Sequence, residues 1–227
     1  AHAFGGEDKE YPKSDLNYLK FFRLNNHRIS KHNVLYNCFF NDFNKKEFYM
    51  DLTLEVIETE RLLLVPADLK FANEIFKNFN SETTKYMYPK PANDISETID
   101  FLSNSILEMK KGTNYQVIIT KKDTHEFIGC AGLHDLTSEI PELGIWIKKE
   151  SFGNKYGQET IKGIVNWAVK QNKWNKARYP VDKRNISSRK IPESLNGIIV
   201  KEFKSINMNN VELDEVEYEV SLEKEFA

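Results

Sequence analysis

Between residues 143 and 171 the apolar positions change their spacing once. Leu143, Ile145, Trp146 and Ile147 form a short apolar run rich in β-branched and aromatic side chains, as a buried strand requires. Ile161, Ile164, Val165, Ala168 and Val169 then fall at helical spacing, with Lys162, Asn166 and Lys170 on other faces, which predicts an amphipathic helix from Gln158 onward. Gly153 and Gly157 lie between the two elements, where the backbone can take positive φ or lie close to a ligand. Upstream, residues 62–65 read as a first strand ended by Pro66. Asp68 can cap a helix whose apolar face is Phe71, Ile75, Phe76 and Phe79. A proline-broken loop, YMYPKPAND, leads to Asp94 and Glu97, the capping box of a helix running to about Lys111, where Gly112 ends it. Residues 115–149 hold three strand-like runs and predict an antiparallel meander. After the central helix come a strand at 177–181, a short helix at 185–195 and strands at 197–203 and 211–222. Pro192 removes a backbone hydrogen bond inside the short helix, so a kink or an early end is expected there. The alternation in the last strand slips once between Leu213 and Val216, which suggests a bulge.

Residues 1–49 hold no sustained period of either kind and are rich in Asn, Lys, Phe and Tyr. They are either an extra element that packs Phe21, Phe22, Phe39 and Phe40 against something, or a leader segment. Residues 50–227 read as one complete domain. The 32 basic and 34 acidic residues give a net charge of -2, which argues against a direct nucleic-acid partner. Cys38 and Cys130 lack metal-ligand spacing and read as two reduced thiols, so no metal is expected. No run approaches the ~18 apolar residues of a membrane span, and no signal-peptide core precedes a small-residue cleavage site. A cytoplasmic protein that contacts no membrane is expected.

The junction at 153–158 has the makings of an anion site. First-turn N–H groups have no intrahelical partner, the helix dipole adds positive potential, and glycines admit close approach; phosphate is the natural guest. Two glycines before a helix also describe an ordinary turn. The run FGNKYGQE before a helix, with NISSRKI one element later, resembles the GCN5-related N-acetyltransferase (GNAT) superfamily, and within it the branch that acetylates ribosomal-protein N-termini. Supporting likenesses are ETERLLLV at the first strand, FIGCAGL, and PELGIWI before the loop. The family's pyrophosphate loop, Q/R-x-x-G-x-G/A, maps onto 152–157. Here Phe152 stands where Gln or Arg is usual and Lys155 where the first glycine is usual, while Gly153 and Gly157 are kept. Lys155 could supply charge to the pyrophosphate. Asn196 replaces a glycine after the short helix, and Asn tolerates the αL conformation.

The resemblance implies an α+β fold: a mixed, mostly antiparallel sheet of six to seven strands, splayed between its fourth and fifth strands and flanked by about four helices. It implies acetyl-CoA as donor and a ternary complex without a covalent intermediate. By position, Ile145, Trp146 and Ile147 would hold the pantetheine arm, and Phe152, Gly153, Asn154, Lys155, Tyr156, Gly157 and Gln158 the pyrophosphate. Asn185 and Ser188 form the family's N-x-x-S, in which Asn185 would hold the pantetheine and Ser188 would protonate the departing sulfur. Equally, Asn185 stands where the N-cap of a short helix belongs. Arg189 could reach the adenosine phosphate. Tyr86, Met87 and Tyr88 border the expected acceptor cleft, though aromatic packing under a loop explains them as well. Glu142 is the leading candidate for the base that takes the amine proton, with Glu202 and His134 as weaker alternatives and a solvated strand-edge carboxylate as the plain reading. The acceptor would be a primary amine: a protein N-terminus such as a ribosomal protein's, or a small molecule. Whether the protein forms a homodimer is open. A non-catalytic acyl-CoA sensor or interaction module on the same fold is the rival reading, and Phe152, Lys155 and Asn196 are the features that feed it.

Overall fold

The computed structural model describes residues 50–223. The readings made for residues 1–49, including Cys38 and the four phenylalanines, lie outside the described residues. Eight strands form one sheet: β1 (Ile57–Glu58), β2 (Leu62–Pro66), β3 (Tyr115–Lys121), β4 (Phe127–His134), β5 (Glu142–Ile147), β6 (Lys176–Asp182), β7 (Ile198–Ile206) and β8 (Glu212–Ser221). Their order in space is β1-β2-β3-β4-β5-β6-β8-β7. Every pairing is antiparallel except β5 with β6. Four α-helices complete the fold: α1 (Ala72–Asn78), α2 (Ile95–Lys111), α3 (Tyr156–Gln171) and α4 (Ile186–Glu193). The strand beyond the expected six to seven is β1, two residues long and too short to show a period. It folds back through a turn in which Thr59 N donates to the Leu62 carbonyl and Leu62 N donates to the Thr59 hydroxyl, both at 3.0 Å.

Local signals place most elements. Asp68 accepts from Lys70 N at 2.9 Å, and the chain enters α1 through a 3₁₀ turn, Leu69–Phe71. Ile75 is buried, whereas Phe76 is 37% exposed and turns away from the face it was predicted to share. Asp94 caps α2 by accepting from Ser96 N at 2.9 Å, and Gly112 ends it at φ +64°, a conformation that favours glycine. Pro192 shortens α4, which stops at Glu193, not 195; the Leu195 and Gly197 N–H groups close back onto the Pro192 carbonyl. The bulge expected between Leu213 and Val216 is absent, because β8 pairs with β7 without a break from Glu212 to Glu217 and with β6 from Glu215 to Ser221. The register shift lies in β7, between Ile199 and Lys201. Leu213 breaks the alternation because it lies beyond the end of β6; it is buried outside the main core.

Helix α3 begins at Tyr156, two residues before the predicted start, since Lys155 in αL (φ +60°) caps it and Gly157 belongs to its first turn. Ile161, Ile164 and Ala168 are fully buried beneath it, worth about 1.5–3 kcal/mol for each of the isoleucines. Gly163 lets α3 lie against the β1–β2 turn, where an added Cβ would come 2.9 Å from Thr59 Cγ2. Trp146 packs on Phe79, just beyond α1, with ring centroids 5.1 Å apart. Its neighbour Ile145 faces the other side of the sheet, toward Gly157 of α3. Helices therefore cover both faces of β5.

Candidate functional site

A parallel pairing of two strands normally continues along their length, but β5 and β6 share one paired position, Glu142 with Arg178. Beyond it the strands diverge. The backbone groups of β5 that face away from β4 are left without a strand partner, and a cleft of about 780 Å³ opens between the strands. Leu143 to Ile147 form one wall and Tyr179 to Val181 the other. Trp146 packs on Phe79 and Phe127 while lining the cleft.

At its far end the cleft meets the 153–158 junction. Gly153 (φ +79°) and Lys155 (φ +60°) both take the left-handed region. Lysine thus adopts there the backbone that glycine would take with less strain. Asn154 braces the turn from inside, its amide donating to the Ser151 and Phe152 carbonyls at 3.1 Å each. The first intrahelical bond onto the cap is Glu159 N to Lys155 O, so Tyr156, Gly157 and Gln158 present N–H groups without intrahelical partners beside the cleft. The start of α3 is fixed from two sides. The Glu159 carboxylate accepts from the Thr59 hydroxyl, Arg61 N and Arg61 Nε, all at 2.7 Å. Burial opposes ionisation of Glu159, yet these hydrogen bonds hold its pKa below the usual glutamate value. On the other side, Gln158 Nε2 donates to the Lys190 carbonyl of α4 at 3.1 Å.

Asn185 and Ser188 reach the cleft from the first turn of α4. Asn185 is the N-cap: its Oδ1 accepts from Ser188 N at 3.2 Å and from the Ser187 hydroxyl at 3.0 Å. Ser188 Oγ lies 2.7 Å from the hydroxyl of Tyr179 on β6. Arg189 does not line the cleft; its Nε donates to the Tyr218 hydroxyl at 3.1 Å and its Nη1 to the Lys183 carbonyl. Tyr218 in turn donates to Glu193 at 2.7 Å, so the arginine anchors α4 to β8.

The opposite end of the cleft is lined by side chains from three separate segments: Tyr86 to Pro89, Glu142 and Glu215. The loop is held against the β7–β8 turn by Asn207 Nδ2 donating to the Met87 carbonyl and Met208 N to the Tyr88 carbonyl. Tyr86 stacks under the Arg184 guanidinium at 5.5 Å, while Tyr88 is 60% exposed. Glu142 is half-buried with Arg178 Nε 3.0 Å from its carboxylate. Burial raises its pKa above the ordinary glutamate value, Arg178 opposes the rise, and Asp135, Glu217 and Glu215 add to it. In its ionised form such a carboxylate is more basic than an exposed one. The two alternatives stand elsewhere. Glu202 accepts from Lys183 at 2.8 Å, and neither it nor His134 lines the cleft. The His134 ring lies against Gly132 and Gly144, where any Cβ would meet it, and burial lowers its pKa.

Of the residues singled out from sequence, the fold brings Glu142, Ile145, Trp146, Ile147, Phe152, Gly153, Lys155, Tyr156, Gly157, Gln158, Asn185, Ser188, Tyr86 and Tyr88 to one cleft, and leaves Asn154 and Arg189 outside it. Sequence reasoning missed Tyr179, which lines the cleft, and the Arg61–Glu159 clamp that holds its loop. Glu215, one of the acidic residues Glu212, Asp214, Glu215 and Glu217 whose charge could attract a cationic acceptor, lines the cleft as well, and nothing local marks Tyr179.

The sequence model of the acetyltransferase (GNAT) domain family matches residues 61–197. Among curated proteins the chain is similar to the uncharacterized N-acetyltransferase p20 of Bacillus licheniformis, 25% identical over 147 residues, covering 63% of this chain and 82% of that protein. Its fold is like that of RimL, a ribosomal L7/L12 alpha-N-protein acetyltransferase solved with coenzyme A (TM-score 0.65, 14% identity, 74% of this chain and 98% of that one). It is equally like that of the microcin C7 self-immunity acetyltransferase MccE, solved with acetyl-CoA and AMP (TM-score 0.65, 17% identity, 75% of this chain and 99% of that one).

Proposed function

The chain belongs to the acetyltransferase (GNAT) domain family, an acyltransferase that draws on acetyl-CoA, and we propose that it acetylates a primary amine by direct attack within a ternary complex. The observation that carries this reading is the single pairing between β5 and β6, which opens a cleft running into the unpartnered N–H groups of α3. The pantetheine arm would lie along Ile145 to Ile147, using the free backbone groups of β5 as a peptide-like strand would. Its pyrophosphate would sit on the N–H groups of Tyr156 to Gln158, with Lys155 adding charge.

The amine enters from the end lined by Tyr86, Tyr88 and Glu142. Its nitrogen bonds to the acetyl carbon, the carbon–sulfur bond breaks with its electron pair going to sulfur, and Glu142 takes the proton lost by nitrogen, directly or through one water. Ser188 donates its hydroxyl proton to the departing sulfur and recovers one from solvent. Binding donor and acceptor together supplies most of the acceleration by removing the entropy of a bimolecular encounter.

The likeness to RimL supports a protein N-terminus, such as a ribosomal protein's, as acceptor, and the likeness to MccE supports a small amine. The proline-broken 86–91 loop, half-buried except at the exposed Tyr88, is open to a peptide at that tyrosine and favours the first. A cytoplasmic enzyme with its catalytic unit in residues 50–227 fits this chemistry. The test has two stages. Acetyl-CoA should raise the unfolding midpoint, because it binds the folded state alone. Thiol release should then follow addition of peptides carrying ribosomal-protein N-termini. No midpoint shift at millimolar acetyl-CoA overturns the donor site, whereas a shift without turnover on any amine favours the acyl-CoA sensor.

A further inference from the structure

The hydroxyl of Tyr179 is buried in a way that decides how a neighbouring hydrogen points. Tyr179 is 2% exposed, and Ser188 Oγ, 2.7 Å away, is the one hydrogen-bond partner of its phenol among the described residues. Two arrangements satisfy that distance. If Ser188 donated, the phenol would accept and its own O–H would be buried with no acceptor, which costs about 1–3 kcal/mol. If Tyr179 donates, both hydroxyls are satisfied: the phenol has its acceptor, and the Ser188 hydrogen is left over. Both residues line the cleft, but Tyr179 is buried where Ser188 is only half-buried, so the surplus serine hydrogen has the cleft to turn into.

The backbone around the pair holds it in place. Ser188 is fixed through its own N–H by the Asn185 cap, and α4 is tied to β8 through Arg189 and Tyr218. Tyr179 sits on β6 between its pairing with Tyr218 of β8 and the open cleft, on a strand that cannot shift without breaking the β6–β8 ladder. Burial pushes the phenol's pKa well up, against the hydrogen bond to Ser188. A phenol so reluctant to ionise is a poor terminal proton source and a steady donor.

We infer that Tyr179 is a positioning residue for the transfer: by donating to Ser188 Oγ it turns the serine hydrogen toward the thioester sulfur and stabilises the negative charge that Oγ gathers as that proton leaves. This rests on the reading of Ser188 as the group that protonates sulfur. Tyr179 contributes no atom to the products. The proton that reaches sulfur comes from Ser188, solvent restores it, and the tyrosine hydrogen bond shortens and relaxes within each turnover.

The experiment is a double-mutant cycle on thiol release from acetyl-CoA, using the amine panel above, with Tyr179→Phe, Ser188→Ala and both together. Tyr179→Phe should lower kcat about 10-fold, leave the KM for acetyl-CoA within about 2-fold, and have no further effect in the Ser188→Ala background, because it then has nothing to orient. A merely structural role would cost the same factor in both backgrounds and would lower the unfolding midpoint in proportion. Wild-type kcat in Tyr179→Phe, or an equal loss with and without Ser188, overturns the inference. Full activity of Ser188→Ala instead overturns the serine reading beneath it, so the two failures are told apart. Should Tyr179→Phe fold poorly, Tyr179→Met removes the same hydroxyl with another apolar side chain and should show the same loss of kcat, again only where Ser188 is present.

Discussion

At one end of the cleft most wall residues lie between Ile145 and Gln158, with Ser188, Lys190 and Ile191 of α4 beside them; at the other they come from Tyr86 to Pro89, Glu142 and Glu215, segments that meet only in the folded chain. The first end presents backbone: strand groups released by the β5–β6 divergence and N–H groups released by a helix start. The second presents side chains. A donor common to a whole family suits a site made of main chain, whose chemistry does not change with sequence. An acceptor that differs between members suits one made of replaceable side chains on loops. The difference also predicts how each end fails: the backbone end by steric blockage, the side-chain end by loss of particular groups.

The largest effect belongs to the backbone end. Gly157 lies in the first turn of α3, where an added Cβ already falls 2.9 Å from Ile191 Cδ1. Gly157→Ala needs only a small movement of that flexible side-chain tip and should bind acetyl-CoA nearly as the parent does. Gly157→Trp should fill the cleft and weaken acetyl-CoA binding by more than about 100-fold, read by titration calorimetry or by loss of the thermal shift. Tight binding by Gly157→Trp would mean that the donor does not use this turn.

At the junction with the acceptor end, Ser188→Ala should lower kcat by about 100-fold while changing acetyl-CoA affinity little, since acid–base groups contribute roughly 10²–10⁴-fold. Stopped-turnover assays at saturating donor separate the two quantities. Unchanged kcat would leave Ser188 as a plain member of the α4 first turn, where its N–H already serves the Asn185 cap.

Most of what the sequence made legible lies at the backbone end. A period change from strand to helix, with glycines between, announces a junction whatever the side chains are. Hence 143–171 was readable down to the loop, and the error of two residues at the start of α3 came from taking Gly157, not Lys155, as the boundary. The acceptor end shows the opposite. Glu142 was picked out because it sits on the same strand as the proposed donor site. Glu215 stood out only within an acidic run, because it is brought in by the β6–β8 pairing, some seventy residues on in the chain. Tyr179 was missed for the same reason: on a strand of alternating apolar residues a tyrosine reads as core, and only the fold reveals that its hydroxyl meets Ser188. The clamp of Arg61 on Glu159 spans residues 98 apart and leaves no local trace. The bulge misplaced onto β8 belongs with these, since parity along one strand says nothing of where its partner ends.

A subtler probe of the side-chain end is the pH dependence of Glu142. Its pKa is raised first by burial, and Arg178 pulls it back down. A base must be ionised to take the amine proton, so with Glu142 in the role proposed for it kcat/KM should rise with pH through an acid limb lying above the usual carboxylate range. Removing the arginine charge, as in Arg178→Met, lets the pKa climb further. The limb should then move to higher pH, lowering the rate at acid pH and leaving the plateau in place. A limb that stays put in Arg178→Met, or that survives in Glu142→Gln, would assign it to the amine itself or to another group.

The smallest effect returns to the loop and separates its geometry from its charge. Lys155 holds φ +60°, which costs a non-glycine residue about 1 kcal/mol, whereas glycine reaches it freely. Lys155→Gly relieves that strain but gives the unfolded chain more conformations to lose, so the net change in stability should be within about 1 kcal/mol and of favourable sign. Its ammonium is exposed, so its pull on a pyrophosphate is screened, and acetyl-CoA affinity should fall only about 3-fold in low salt, with the difference shrinking as salt is raised. If affinity drops by orders of magnitude, the lysine is a principal ligand and the donor end is not built of backbone alone. If affinity and stability both rise, the charge contributes nothing, and the lysine occupies a glycine's place at a conformational cost that binding never recovers.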